Sequence, residues 1–419
     1  MNIPKTNKTT LENGLQIITE EIPSMRSVSM GILVGAGSGN ESQNVSGISH
    51  FIEHMSFKGT AKRSAYGLAQ TLDAVGGKMN AYTGKELTMF YAVVLDRHLA
   101  TATDVLSDML LNSLFDPRAM EFEKGVVLEE IKMHQDMPEE LIHDFFMEKI
   151  LDGHPLGKQV VGNEKNILAL KKEDILQYRN LWYSPKNTIV AFAGALPENI
   201  IAKVRPYFEK WQGQRLAQKH LLPEITSGIH LMKKKTEQVH LCLGTKGVSQ
   251  LDEARYAFGI LDTILGGSTS SRLFQEVREK RGLVYSIHSI AAPFRDFGLF
   301  YLYAGTSREN LKQVIDLMLE QLRMIKKSGI EPEELARAKE YLKGTLVLSL
   351  ESTSARMSWS AKSQFYYGRT VTIDEIFKRV DSVTAEEIIK LANQYFRDEW
   401  LNLAVIGDME ELPVKEIHC

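Results

Sequence analysis

A chain of 419 residues, 43% apolar and 25% charged, carries more core material than one hydrophobic core usually organises, so two soluble domains are expected. Its formal net charge of -3 comes from interspersed charges, which excludes a basic nucleic-acid surface or an anionic membrane as the main partner. Only two cysteines, Cys242 and Cys419, exclude a disulfide-stapled fold, and without an apolar leader or a run of about 18 apolar residues the sequence reads as cytoplasmic, with no membrane span.

Taken in order, a turn at Leu11-Glu12-Asn13-Gly14 followed by alternation to Ile18, and the alternating run 27–34, read as strands. Glycines at 35, 37 and 39 break the run before a helix over 47–57. A second helix, 66–75, stops at Gly76-Gly77, and strands follow at 79–83 and 86–95. Helices are expected over 97–113, 118–136 and 138–151, then 172–182, a strand 188–193 and a helix closing near Trp211. The weakly periodic stretch 212–226 reads as a linker, giving domains 1–211 and 227–419.

The second half repeats the first. Glu173-Asp174-Ile175 through Trp182-Tyr183 to Ile189-Val190-Ala191-Phe192-Ala193-Gly194 is matched by Glu386-Glu387-Ile388 through Tyr395-Phe396 to Asn402-Leu403-Ala404-Val405-Ile406-Gly407, a constant offset near half the chain. So long a period marks duplication of a whole domain. Each half mixes strands and helices without strict alternation, which predicts an α+β fold: two homologous domains, each a largely antiparallel β-sheet covered by α-helices.

The first half alone carries the pentad His50-Phe51-Ile52-Glu53-His54, since the same offset places Thr263 and Gly267 at the histidine positions. On a helix, His50 and His54 project from one face a turn apart and can grip one cation. Glu53 can reach a water on that cation without being a ligand, as in metal-activated hydrolases with the inverted motif. A catalytic zinc needs a third protein ligand. On the helix 118–136, Glu123, Val127, Glu130 and His134 share a face; Glu130 is central, His134 competes with it, and Glu123 is placed to support from outside. Glu129 points about 100° away.

These segments resemble the pitrilysin/insulinase family of zinc metallopeptidases, in the branch of the mitochondrial processing peptidase β subunit and its bacterial homologues. The likeness lies in His50 to Thr60, in Phe122 to Glu130, in Gly77-Lys78-Met79-Asn80-Ala81-Tyr82-Thr83, in His154-Pro155-Leu156-Gly157, and in Leu265 to Phe274 leading into Arg278 to Tyr285. The resemblance implies Zn²⁺ held by His50, His54 and Glu130, with Glu53 as catalytic base and Glu123 supporting. It further implies Asn80 and Ala81 facing an extended peptide substrate, and Arg278 and Tyr285 as oxyanion donors from the second half. It also implies a homodimer with shared active sites that hydrolyses extended or unfolded peptides. The alternative is a non-catalytic peptide-binding partner subunit, which the intact pentad opposes.

Overall fold

The computed structural model describes residues 6–214 and 222–419, so residues 215–221 of the expected linker lie outside the described residues. The first half supplies strands β1 (Thr6–Thr10), β2 (Gln16–Glu21), β3 (Ser27–Val34), β4 (Lys78–Thr83), β5 (Thr88–Leu95) and β6 (Thr188–Gly194). Its helices are α1 (Ile48–Ser56), α2 (Ala65–Asp73), α3 (Leu99–Asn112), α4 (Pro117–Gln135), α5 (Pro138–Ile150), α6 (Glu164–Ala169), α7 (Lys172–Trp182) and α8 (Ile200–Phe208). The second half supplies β7 (Gly228–Lys233), β8 (Val239–Gly247), β9 (Val284–Pro293), β10 (Gly298–Thr306) and β11 (Asn402–Gly407). With them come α9 (Arg255–Leu265), α10 (Leu311–Ser328), α11 (Pro332–Ser349), α12 (Thr353–Tyr367), α13 (Ile373–Ser382) and α14 (Ala385–Tyr395). Among the described residues no helix is long and apolar enough to cross a membrane.

The two sheets run β1-β2-β6-β3-β5-β4 and β7-β11-β8-β10-β9. Only β2 with β6 and β7 with β11 pair in parallel, so both sheets are largely antiparallel, as the patterning predicts. The repeat is visible strand by strand, β6 and β11 holding the same place in their sheets and α7 matching α14 in length. The constant offset fails locally because the connection 248–254 into α9 is shorter than 35–47 into α1, so Thr263 and Gly267 fall at the helix end; α9 contains no histidine.

β3 shows how sequence sets the layers. Val28, Met30, Ile32 and Val34 point by the period of two into the core beneath α1, with Phe51, Ile52 and Met55. The opposite face presents Ser29, Gly31 and Leu33, and there α12 is seated. Ser29 Oγ lies 2.8 Å from Thr353 Oγ1, and a Cβ on Gly31 would stand 2.2 Å from Met357 Sδ. Small residues thus let a helix approach the sheet closely. Glu20 adds an ion pair to Arg356 at 2.7 Å and accepts from Ser360 Oγ at 3.0 Å.

The compact units differ from the expected contiguous domains 1–211 and 227–419. One comprises the described residues within Met1–Lys132, Lys158–Lys219 and Ser349–Val371; the other those within Met133–Gly157, His220–Leu348 and Thr372–Cys419. Each unit thus takes one helix from the opposite half of the sequence, α12 in the first and α5 in the second. The physical reason is that each sheet is apolar on both faces, and the helices of its own half cover only one. In the second unit, Phe145 and Phe146 of α5 cover Cys242, Leu299, Tyr301, Ala404 and Ile406, while Phe258, Ile315 and Ile388 belong to the core on the other face.

Candidate metal centre

α1 is helical because Ile48, Phe51, Ile52 and Met55 recur at helical spacing and bury one stripe against the first sheet. That burial sets which stripe of the helix faces the sheet and leaves His50 and His54 side by side, ring centroids 4.5 Å apart. α4 brings the third group: Val127 is buried in the same core, and Glu130, one turn on, meets both histidines. His50 Nε2 lies 3.6 Å from Glu130 Oε1, and His54 Nε2 lies 3.5 Å from Glu130 Oε2. These separations exceed a strong charge-assisted hydrogen bond, whereas ligand atoms around a tetrahedral zinc with bonds near 2.0–2.1 Å sit about 3.3 Å apart. Among the described residues, His50, His54 and Glu130 are the group whose ligand atoms converge, all within 4.8 Å.

Around the trio sit Glu123, Lys58, Glu53 and Thr83. His54 Nδ1 lies 2.9 Å from Glu123 Oε1, so its N–H to that carboxylate leaves Nε2 free to face Glu130. Glu123 is almost fully buried and pairs through its other oxygen with Lys58 Nζ at 2.6 Å. Glu53 accepts a hydrogen bond from the Thr83 hydroxyl at the end of β4.

Electrostatics separates the roles. Burial, reinforced by the like charge of His54, lowers the His50 pKa to about 4, so this imidazole is neutral and its nitrogen lone pair available. Burial also opposes charge on His54, but Glu130 and Glu123 outweigh it and raise its pKa. Burial raises the pKa of Glu53 against the lowering effect of Thr83 and His54, and Glu130 pushes it further up. A carboxylate raised in this direction is a better proton acceptor than an exposed one.

Residues 16–164 match the family profile described as Insulinase (Peptidase family M16), and residues 169–342 the one described as Peptidase M16 inactive domain. The chain is 39% identical over 404 residues to a Bacillus subtilis protein named as the uncharacterized zinc protease YmxG, covering 96% of this chain and 98% of that one. A Streptomyces coelicolor zinc protease is 38% identical over 425 residues, covering 99% and 92%. The chain belongs to the insulinase family of peptidases. Two solved structures share its fold: a protease from Helicobacter pylori (TM-score 0.88, 23% identity, 96% and 99% covered) and a peptidase M16 inactive domain from Pseudomonas fluorescens (0.90, 20%, 98% and 100%). The insulinase-family relatives are named for zinc, and the His-His-Glu trio fits that metal.

The other sequence-predicted residues fall in distinct places. β4 is the edge of its sheet, with Asn80 exposed and the Ala81 side chain in the core. The hairpin closes with Gly84 N–H donating to Leu87 at 2.8 Å, so alternation turns the N–H and C=O of Ala81 away from β5. Asn80 Oδ1 accepts that N–H at 2.9 Å. Arg278 and Tyr285 belong to the second unit, the first in a π-helical segment, Phe274–Glu279, the second at the start of β9. The Arg278 guanidinium lies 4.8 Å from the Phe274 ring and 5.2 Å from the Tyr285 ring, which is 76% exposed. His134, the competing ligand, faces Asp144 at 3.5 Å instead, and Glu129 pairs with Lys132 at 2.7 Å on the surface. Sequence reasoning gave no role to Lys58 or Thr83; Lys58, four residues beyond His54, had a helical-spacing signal, and Thr83 had none.

Proposed function

We propose that this chain is a zinc-dependent endopeptidase that hydrolyses peptide bonds in extended or unfolded peptides, in the manner of a processing peptidase. The observation that carries the proposal is the convergence of ligand atoms of His50, His54 and Glu130 within 4.8 Å of one another while Glu53, on the same helix turn, is held by Thr83 rather than by the trio. Zinc bound there supplies a water of lowered pKa and a Lewis acid for the scissile carbonyl. Glu53 takes the proton of the attacking water and later delivers it to the leaving amine, and the Thr83 hydroxyl fixes which carboxylate oxygen does so. Glu123, locked by Lys58, keeps the His54 ring in register.

An extended peptide adds to the β4 edge, where the outward N–H and C=O of Ala81 give main-chain hydrogen bonds with little sequence demand. Its carbonyl takes the place that Asn80 Oδ1 fills in the free edge. Arg278, half-buried with its guanidinium 5.2 Å from the exposed Tyr285 ring, and Tyr285 itself are assigned to the oxyanion. A cytoplasmic homodimer with shared active sites completes the reading, on the strength of the family resemblance. Metal analysis combined with cleavage mapping on a mixed peptide library tests it: chelator-sensitive internal cuts are expected, and zinc-loaded protein that cleaves no unstructured peptide refutes it.

A further inference from the structure

The start of α1 lacks a side-chain cap of its own. Its N-cap residue, Gly47, has φ 93°, and a Cβ there would stand 2.8 Å from Ile167 Cδ1 and 2.9 Å from both Gly162 Cα and Val161 O. The position is therefore closed to the Ser, Thr, Asp or Asn that usually satisfies the first amides of a helix. Glu41, from the loop before the helix, does so instead: Gly47 N–H donates to its Oε2 at 2.7 Å and Ser49 N–H to its Oε1 at 2.9 Å. Its side chain is buried, the residue being 3% exposed, and its main-chain oxygen accepts from Lys158 Nζ at 2.9 Å. Ser49 carries the tie further, its Oγ lying 2.8 Å from Tyr178 Oη, which donates to Gly37 O at 3.2 Å. The next residue after Ser49 is His50.

We propose that Glu41 is a positioning residue for the metal centre: by gripping two amides of the first turn it fixes the rotation of α1, and so the aim of His50 and His54 toward Glu130. The inference rests on reading those three residues as zinc ligands. A carboxylate with both oxygens committed to one helix end is a rigid two-point clamp, and the positive end of the helix favours its charge. Burial nonetheless raises its pKa to about 7, against the lowering effect of the Gly47 and Ser49 amides. Gln can keep only one of the two bonds, because its amide nitrogen is a donor facing a donor.

The test compares full-length wild type, E41Q and V204A, the last removing methyl groups from a buried α8 residue outside the centre. Zinc affinity is read by competition with a chelating indicator, and ligand geometry by the visible absorption of the Co²⁺-substituted protein. E41Q is expected to weaken zinc about tenfold, at the low end of what outer residues of a metal site contribute, and to shift the cobalt bands. V204A is expected to lower Tm while leaving both readouts unchanged. If E41Q does not fold, E41D, which keeps the charge but reaches one amide, carries the same expectation. Wild-type affinity and spectrum in the variant overturn the proposal, as does equal weakening by V204A. A wild-type protein that binds no zinc overturns the ligand assignment itself.

Discussion

Glu123 touches no reacting atom, yet its replacement is expected to weaken zinc binding measurably. Its carboxylate receives the His54 Nδ1 proton at 2.9 Å and holds Lys58 at 2.6 Å, with the side chain 3% exposed. E123Q keeps an acceptor for that proton but removes the charge that makes the ring a stronger ligand. The expected effect is about tenfold, or about 1.4 kcal/mol. E123A also leaves the ring free to rotate and should reach about a hundredfold, or about 2.7 kcal/mol. Lys58 does not add greatly to either figure, because its side chain is 32% exposed and can turn to water once its partner is gone. Zinc dissociation constants measured at one pH by chelator competition, for wild type, E123Q, E123A and K58A, give the order directly. Should E123A bind zinc within twofold of wild type, the carboxylate does not orient His54 and the reasoning fails.

Glu53→Gln should retain stoichiometric zinc while turnover falls by about 10²–10⁴, the range of a positioned general base; metal analysis with a peptide-cleavage assay checks both, and a fully active variant removes the assignment. Gly37→Ala places a Cβ 2.2 Å from Gly84 O, where backbone has to yield, and the loss should be about 3 kcal/mol in urea unfolding. Since that hairpin carries Thr83, cleavage activity should fall with it; unchanged stability would mean that the turn moves aside freely. In the second unit, burial lowers the pKa of His143 to about 4 and also lowers those of His240 and His288, with Glu139 opposing all three. Unfolded histidines protonate near 6.5 and these resist it, so stability present above that pH drains away as pH falls toward 4. His143 alone accounts for at most about 3 kcal/mol, less after solvent screening, and H143Q should flatten the acid slope of the urea midpoint. Parallel slopes in the two proteins would show that His143 does not titrate as stated.

Some of this molecule was written in short stretches of sequence. The spacing of Ile48, Phe51, Ile52 and Met55 puts His50 and His54 on one helix face, and the spacing of Glu123, Val127 and Glu130 puts two carboxylates on another, because helical periodicity is a local property. The duplication was legible for the same reason: α7 and β6 recur as α14 and β11 with their patterns intact. What periodicity could not choose was between Glu130 and His134, neighbours on one face of α4; which turn of that helix lies against α1 decides that Glu130 meets the histidines while His134, a turn further on, meets Asp144. Glu41, Lys58 and Thr83 are ordinary polar residues until chain segments far apart in sequence close around α1. The exchange of α5 and α12 between units belongs to the same class. Each is placed by an uncovered sheet face, and which helix will cover it depends on shape, such as the small residues Ser29 and Gly31 beneath Met357, that exists only once the sheet has formed.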